Sequence, residues 1–226
     1  MSQLLTYVDR ESSYYPIVAR IKPVQVGSWK ELNGLDRTLF FSVPGVTDYN
    51  ILNYIKYLLD KAVCEGHTDR WFINSIMEHT PKINISAKKL RLIYHNYTFI
   101  VYNTSRRIQD IENADYEPIW MYVSVMDQKT KYIERLLDRK SFYYTDPIWN
   151  IIYPPVCLGG RGRVCSYSES RAARRGITID KARILKKITK DEKSIYGIEI
   201  DGKICWLDPK FSCNTGGTLN DSVFLK

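Results

Sequence analysis

The stretch that most constrains this chain runs from Trp149 to Gly176 and reads WNIIYPPVCLGGRGRVCSYSESRAARRG. It opens aromatic and apolar, turns at Pro154-Pro155, loosens at Gly159, Gly160 and Gly162, and becomes strongly basic. Adjacent prolines fix φ and remove two backbone donors, so Tyr153 to Val156 is expected to be extended rather than helical. The glycines let the backbone turn tightly or pass close to a neighbour. Arg163-Val164 would open a short strand. Ser168 to Gly176 reads as a short helix, capped by Ser168, filled in its last turns by Arg171 to Arg175 and ended by Gly176. On composition alone this is a surface turn followed by a solvated basic helix, and no recognised catalytic motif lies in it.

Charge singles out the same region. The chain of 226 residues carries a net charge of +8. Residues 157–193 hold 11 Lys/Arg against 4 Asp/Glu, nearly all of that excess. Such a band suits a phosphate backbone or an acidic protein surface, with a solvated face as the bland alternative. Hydrophobic residues make up 44% of the chain, enough for a sizeable core and against disorder. No apolar run approaches the length that spans a bilayer, and the N-terminus lacks a signal pattern; manufacture and use in a cytoplasm, or in something assembled there, is expected. The cysteines Cys64, Cys157, Cys165, Cys205 and Cys213 are odd in number and widely spaced, which argues for reduced thiols over a disulfide framework or a zinc ribbon.

Read in order, residues 1–33 form an arm with short strands or turns. Phe40 to Val46 is an extended lead-in, and Thr47 or Asp48 caps a helix whose Ile51, Leu52, Ile55, Leu58, Leu59, Ala62 and Val63 recur at helical spacing until Gly66. A second helix starts at Thr68 or Asp69, turns Trp71, Phe72, Ile76 and Met77 inward, and stops at Pro81. Ser86 caps a long helix over 87–111 with a buried stripe from Leu90 to Ile108. Pro118 to Asp127 is a strand. Thr130 caps a short helix over 131–138, and Phe142 to Tyr144 is extended. A basic linker or helix over 180–188 leads to two β-rich runs, 196–200 and 203–206, joined by Asp201-Gly202 as a hairpin. The fold expected is α+β: a helical N-terminal part with an arm (1–86), then an α+β part (87–226) with a long helix, short antiparallel strands and a C-terminal hairpin.

Several phrases resemble minor head proteins of the phage Mu F-like head-morphogenesis family. Trp149, Pro154, Pro155, Arg161, Val164 and Arg174-Arg175-Gly176 stand where that family has a Trp, a Pro-Pro, a Cys-x-Cys region and a basic helix ending in Arg-Arg-Gly. Earlier, Phe41, Val43, Gly45, Val46, Thr47, Leu52, Glu65, Gly66, Thr68 and Phe72 keep step with a family phrase, and Asn96, Tyr102 and Arg106 follow another loosely. Tyr122, Val125, Asp127, Lys129, Thr130 and Lys131 follow a third, and Asp208, Phe211, Asn214 and Gly216 a closing one. Three positions depart: Gly160 and Gly162 replace the two family cysteines, and Glu134 replaces a family histidine. Those family residues together would suit a metal or a crosslink, so their loss predicts no stoichiometric metal here, with Cys157 and Cys165 as the rival ligand source.

The resemblance implies a structural minor capsid protein of a tailed phage. It would act near the portal vertex in head assembly, with a link to DNA packaging or ejection, in the virion head and, during assembly, the host cytoplasm. Its partners would be the portal, the major capsid protein and packaged double-stranded DNA, with no membrane. No catalytic residues and no cofactor come with it. His67, His79 and His95 share no motif and no glycine-rich phosphate loop is present, so no enzyme is expected. A sequence-independent nucleic-acid-binding protein and an enzymatic effector on a related scaffold remain the alternatives. Arg161, Arg163, Arg171, Arg174 and Arg175 are the candidate contacts to DNA or an acidic partner. Tyr14, Tyr15 and Trp29 are the candidate partner anchors on the arm, and loss of residues 1–38 is expected to abolish incorporation into heads while leaving the rest folded.

Overall fold

The structure is a computed structural model that describes residues 14–25, 40–79, 85–188 and 194–207. Trp29 and the closing phrase from Asp208 onward lie outside the described residues. The chain divides into two compact units, Met1–Ser105 and Arg106–Lys226. The division falls within the long helix α4 (Ala87–Glu112).

In the first unit, residues 14–20 form helix α1, followed by β1 (Lys22–Pro23), which pairs in parallel with β2 (Phe40–Phe41). Helix α2 (Tyr49–Glu65) starts where Asp48 accepts N–H bonds from Asn50 and Ile51, at 2.8 and 3.3 Å. It ends at Gly66, whose φ of 74° is the left-handed cap that glycine adopts without strain. Its buried face is Leu52, Ile55, Leu58, Leu59 and Ala62, as the spacing predicts. Lys56 joins that face, neutralised by Asp60 one turn on, which also accepts the Tyr97 hydroxyl. Helix α3 (Asp69–His79) buries Phe72, Ile73 and Ile76; Met77, expected inside, is exposed because it lies off that stripe. Ser86 caps α4 through the Lys89 N–H.

The N-terminal segment is more than an arm. Ile17, Val18 and Ile21 are buried, and the Val18 carbonyl accepts the Lys56 ammonium at 2.9 Å. Removing residues 1–38 would therefore strip part of the first unit's core, contrary to the expectation that the rest would be left intact.

In the second unit, β3 (Ile119–Val123) lies between β4 (Ser141–Tyr143) and β5 (Arg163–Tyr167), antiparallel to both. Helices α5 (Tyr132–Leu137), α6 (Trp149–Ile152) and α7 (Glu169–Arg174) connect or flank these strands. Thr130 does not cap α5: its hydroxyl accepts the Asp127 N–H and so shapes the preceding turn. Strand β3 is also shorter than the apolar run, because Met126 has a φ of 57° and the chain has left the sheet by then.

A second antiparallel sheet has the order β6 (Ala182–Ile188), β7 (Ser194–Ile200), β8 (Lys203–Trp206). The Asp201-Gly202 hairpin is as predicted, with both residues at positive φ. Residues 182–188 form a strand and not a linker or helix: pairing of Ala182 to Ile188 along β7 decides a segment whose own pattern fits either state. The core of this unit gathers Trp120, Tyr122, Phe142, Trp149, Ile152, Tyr153, Val164, Ile198 and Ile200.

Candidate functional site

The first half of the organising stretch is built into this core. Trp149 is 1% exposed, sits 5.5–5.9 Å from the Trp120 and Phe142 ring centroids in edge-on geometry, and donates its indole N–H to the Tyr143 carbonyl at 3.1 Å. Edge-to-face contacts of this kind add to area burial. Tyr153 is extended, as the prolines demand, and Pro154-Pro155 is a cis peptide bond.

Behind these rings lies a buried polar group. Arg107 donates to the Trp149 carbonyl at 2.9 Å and to Asn150 Oδ1 at 3.2 Å, and its guanidinium lies 4.8 Å from the Tyr153 ring centre. Asp110 accepts the Tyr153 hydroxyl at 2.9 Å and pairs with Arg106 at 3.1 Å. Burial pushes the Asp110 carboxyl up to about 6, against the pull of Arg106 and the Tyr153 hydrogen bond. Nothing in the local sequence marks Asp110 or Arg107 as buried, because the Tyr153 hydroxyl and the Trp149 carbonyl that they meet lie more than forty residues away.

The three positions that depart from the family pattern come together in space. Glu134, in α5 and 2% exposed, points Oε1 at the loop before β5, accepting the backbone N–H of Arg161 at 2.6 Å and of Gly162 at 2.7 Å. The Tyr122 hydroxyl lies 3.5 Å from the same oxygen. Gly162 is required here: a Cβ would fall 2.0 Å from that hydroxyl. A Cβ at Gly160 would lie 2.9 Å from the Cys157 carbonyl and 3.3 Å from Glu134 Oε1. A carboxylate engaged by two backbone N–H groups and flanked by glycines does not fit a thiolate-and-imidazole metal centre. It works as a clasp that satisfies donors the turning loop leaves unpaired inside the protein.

Arg161 completes the clasp from outside. Its guanidinium grips Asp127 with two N–H donors, one at 2.8 Å, which holds the Asp127 carboxyl well below the usual carboxylate range. Arg161 is thus a surface strut that ties two loops of the chain together.

The other four candidate arginines face outward. Ser168 caps α7 through the Arg171 N–H at 3.3 Å. Arg171 and Arg175 lie 5.2 and 5.5 Å from the Tyr167 ring centre, and Arg171 also approaches Glu117 at 3.7 Å. Arg163 and Arg174 are exposed and form no ion pair among the described residues. Tyr15 is exposed and Tyr14 half-buried, both on α1.

The histidines have separate local roles. His67 stacks on Trp71 with centroids 4.0 Å apart and meets Glu65 at 2.8 Å, and His79 meets the Ser75 carbonyl at 3.0 Å. His95 packs edge-on to Tyr94. Among the described residues no three His, Cys, Asp or Glu side chains form a metal-holding group, and no helix is long and apolar enough to cross a membrane.

The family described as Phage Mu protein F like protein has a model that matches residues 53–165, half of the chain and nearly everything from α2 to β5. The chain belongs to this family. The Mu-like prophage FluMu F protein of Haemophilus influenzae is 28% identical over 176 residues, which is 71% of this chain and 42% of that protein. Protein F of Escherichia phage Mu, whose name assigns it to capsid assembly, is 28% identical over 158 residues, 62% of this chain and 36% of its own length. The chain thus spans about two fifths of the length of these relatives. No solved structure matches. The family match includes the Glu134 clasp and stops before α7.

Proposed function

We propose that the chain is a structural, non-enzymatic component of a tailed-phage head, acting in head assembly near the portal vertex. It works in the host cytoplasm while heads form and stays in the virion. The family membership and the assembly role in the name of the phage Mu relative support this reading. Its partners are the portal or major capsid protein and packaged double-stranded DNA.

The observation that carries the contact surface is the split among the five arginines. Arg161 is tied to Asp127, whereas Arg163 and Arg174 are exposed with no carboxylate partner among the described residues, beside Arg171 and Arg175 on the Tyr167 ring. Guanidinium groups presented this way suit phosphate or carboxylate oxygens and read no base sequence. Tyr15, exposed on α1, is an anchor into a neighbouring head protein, with Tyr14 next to it and Trp29 further along the same N-terminal segment.

A cryo-EM map of assembled heads tests the placement. Density for this chain against the portal, with β5 and α7 turned to DNA or to an acidic portal surface, is the expected result. Heads of normal composition and DNA content that lack the chain would contradict it. Tyr15→Ala should lower incorporation into heads without lowering stability.

A further inference from the structure

The C-terminal sheet carries a surface that the assembly reading does not use. One face, with Ile198 and Ile200, is buried in the second unit's core. The other face bears the cross-strand row Leu185, Gly197 and Trp206. Gly197 is where the Trp206 ring crosses the sheet, since a Cβ there would fall 2.8 Å from Trp206 Cε3. The strand order leaves the outer edge of β6, seven residues long, without a neighbouring strand among the described residues. Such an edge presents a row of backbone N–H and C=O groups, a template for one more strand.

The side chains along this edge select what can pair there. Arg183 is neutralised by Glu199 at 2.6 Å. Lys186 and Lys187 have no carboxylate partner among the described residues; their ammonium groups lie 5.8 Å from the Tyr196 ring centre and 4.3 Å from that of Trp206. A second copy pairing antiparallel about Leu185 would set Arg183 opposite Lys187, and one centred on Lys186 would set that lysine opposite itself. Like charges directly opposite one another are destabilising, so the edge resists its own copy. Polyphosphate offers only acceptors and cannot satisfy a ladder of alternating donors and acceptors. An extended chain bearing carboxylates opposite the two lysines, with apolar residues beside Leu185 and Ile188, satisfies both the backbone and the charges.

We propose that the outer edge of β6 docks an extended acidic segment of another protein, which adds to the sheet as an outermost strand. The proposal is independent of the arginine face, whose variants leave this edge untouched.

The test uses the full chain and a short capped peptide built on the repeat Val-Glu-Glu-Val, because Lys186 and Lys187 face opposite sides of the sheet. Backbone amide shifts in the titration should concentrate in residues 182–188. A lysine–valine peptide and a glutamate–valine peptide N-methylated on alternate residues should not bind. Lys186→Glu combined with Lys187→Glu should weaken the acidic peptide about tenfold and admit the lysine peptide, because two cross-strand pairs change sign. Equal binding of the N-methylated peptide would reduce the site to surface charge and overturn strand addition. Slow exchange of the β6 amides in the free chain, or concentration-dependent dimers through this edge, would show it already occupied and overturn the proposal. Competition by duplex DNA for the same amides would assign the edge to nucleic acid instead, and would also overturn it.

Discussion

The two halves of the stretch from Trp149 to Gly176 use similar residue types for opposite ends. In residues 149–162 the main polar groups are answered by other parts of the chain: the Trp149 indole by Tyr143, the loop N–H groups by Glu134 and, at the surface, Arg161 by Asp127. In residues 163–176 the arginines lie outside, and only Arg171 meets a carboxylate among the described residues. An arginine's position in the charge band therefore does not decide its role. What decides it is whether a carboxylate is brought to it by the fold, and the boundary between the halves is Gly162, just before β5 begins.

The largest effect should come from the buried half. Trp149→Ala removes a ring packed against three other aromatic side chains and should cost about 3–5 kcal/mol. Urea unfolding would show this, and a loss below about 1 kcal/mol would mean the half is not anchored as described.

Next is the titration of Asp110. Its carboxyl is raised from 3.8 to about 6, so the native state holds a proton that the unfolded chain has released. Stability from this group is full below about pH 4 and is lost as pH rises through about 6, a change of about 3 kcal/mol. The stability difference between the wild type and Asp110→Asn should fall by about that amount across this window, and a flat difference would contradict the assignment.

Glu134→Ala should cost about 2–3 kcal/mol, since two buried N–H groups lose their acceptor. Glu134→Gln keeps an acceptor oxygen and should cost clearly less. Equal losses would mean that charge, and not the hydrogen bonds, holds the loop. At the small end, Arg163→Ala and Arg174→Ala should change stability by no more than about 0.5 kcal/mol, as exposed residues with no ion pair among the described residues do.

Much of this fold is legible in the sequence where one short segment decides the outcome. The caps at Asp48, Gly66, Ser86 and Ser168, the Pro154-Pro155 turn and the Asp201-Gly202 hairpin all rest on local chemistry. What the sequence hides depends on distant partners. Strand β6 reads as helix or strand until β7 pairs with it. Lys56 looks like a solvated lysine until Asp60 and the Val18 carbonyl enclose it. The candidate site is legible in halves. Gly160, Gly162 and Glu134 stand out against the family pattern, yet that Glu134 clasps the loop follows only from a contact 28 residues apart. The band of arginines is visible as charge, but separating Arg161 from Arg163 and Arg174 requires the position of Asp127.

The most direct test of that separation is the salt dependence of binding to duplex DNA of arbitrary sequence. Each phosphate neutralised contributes about −0.9 to the log–log slope, so about three engaged arginines give a slope near −3. The double variant Arg163→Ala/Arg174→Ala should flatten it by up to about two units with the melting temperature unchanged. Arg161→Ala should leave the slope nearly as it is. An unchanged slope in the double variant, or a slope that flattens in Arg161→Ala instead, would contradict the division between a strut that ties two loops together and an outward-facing contact surface.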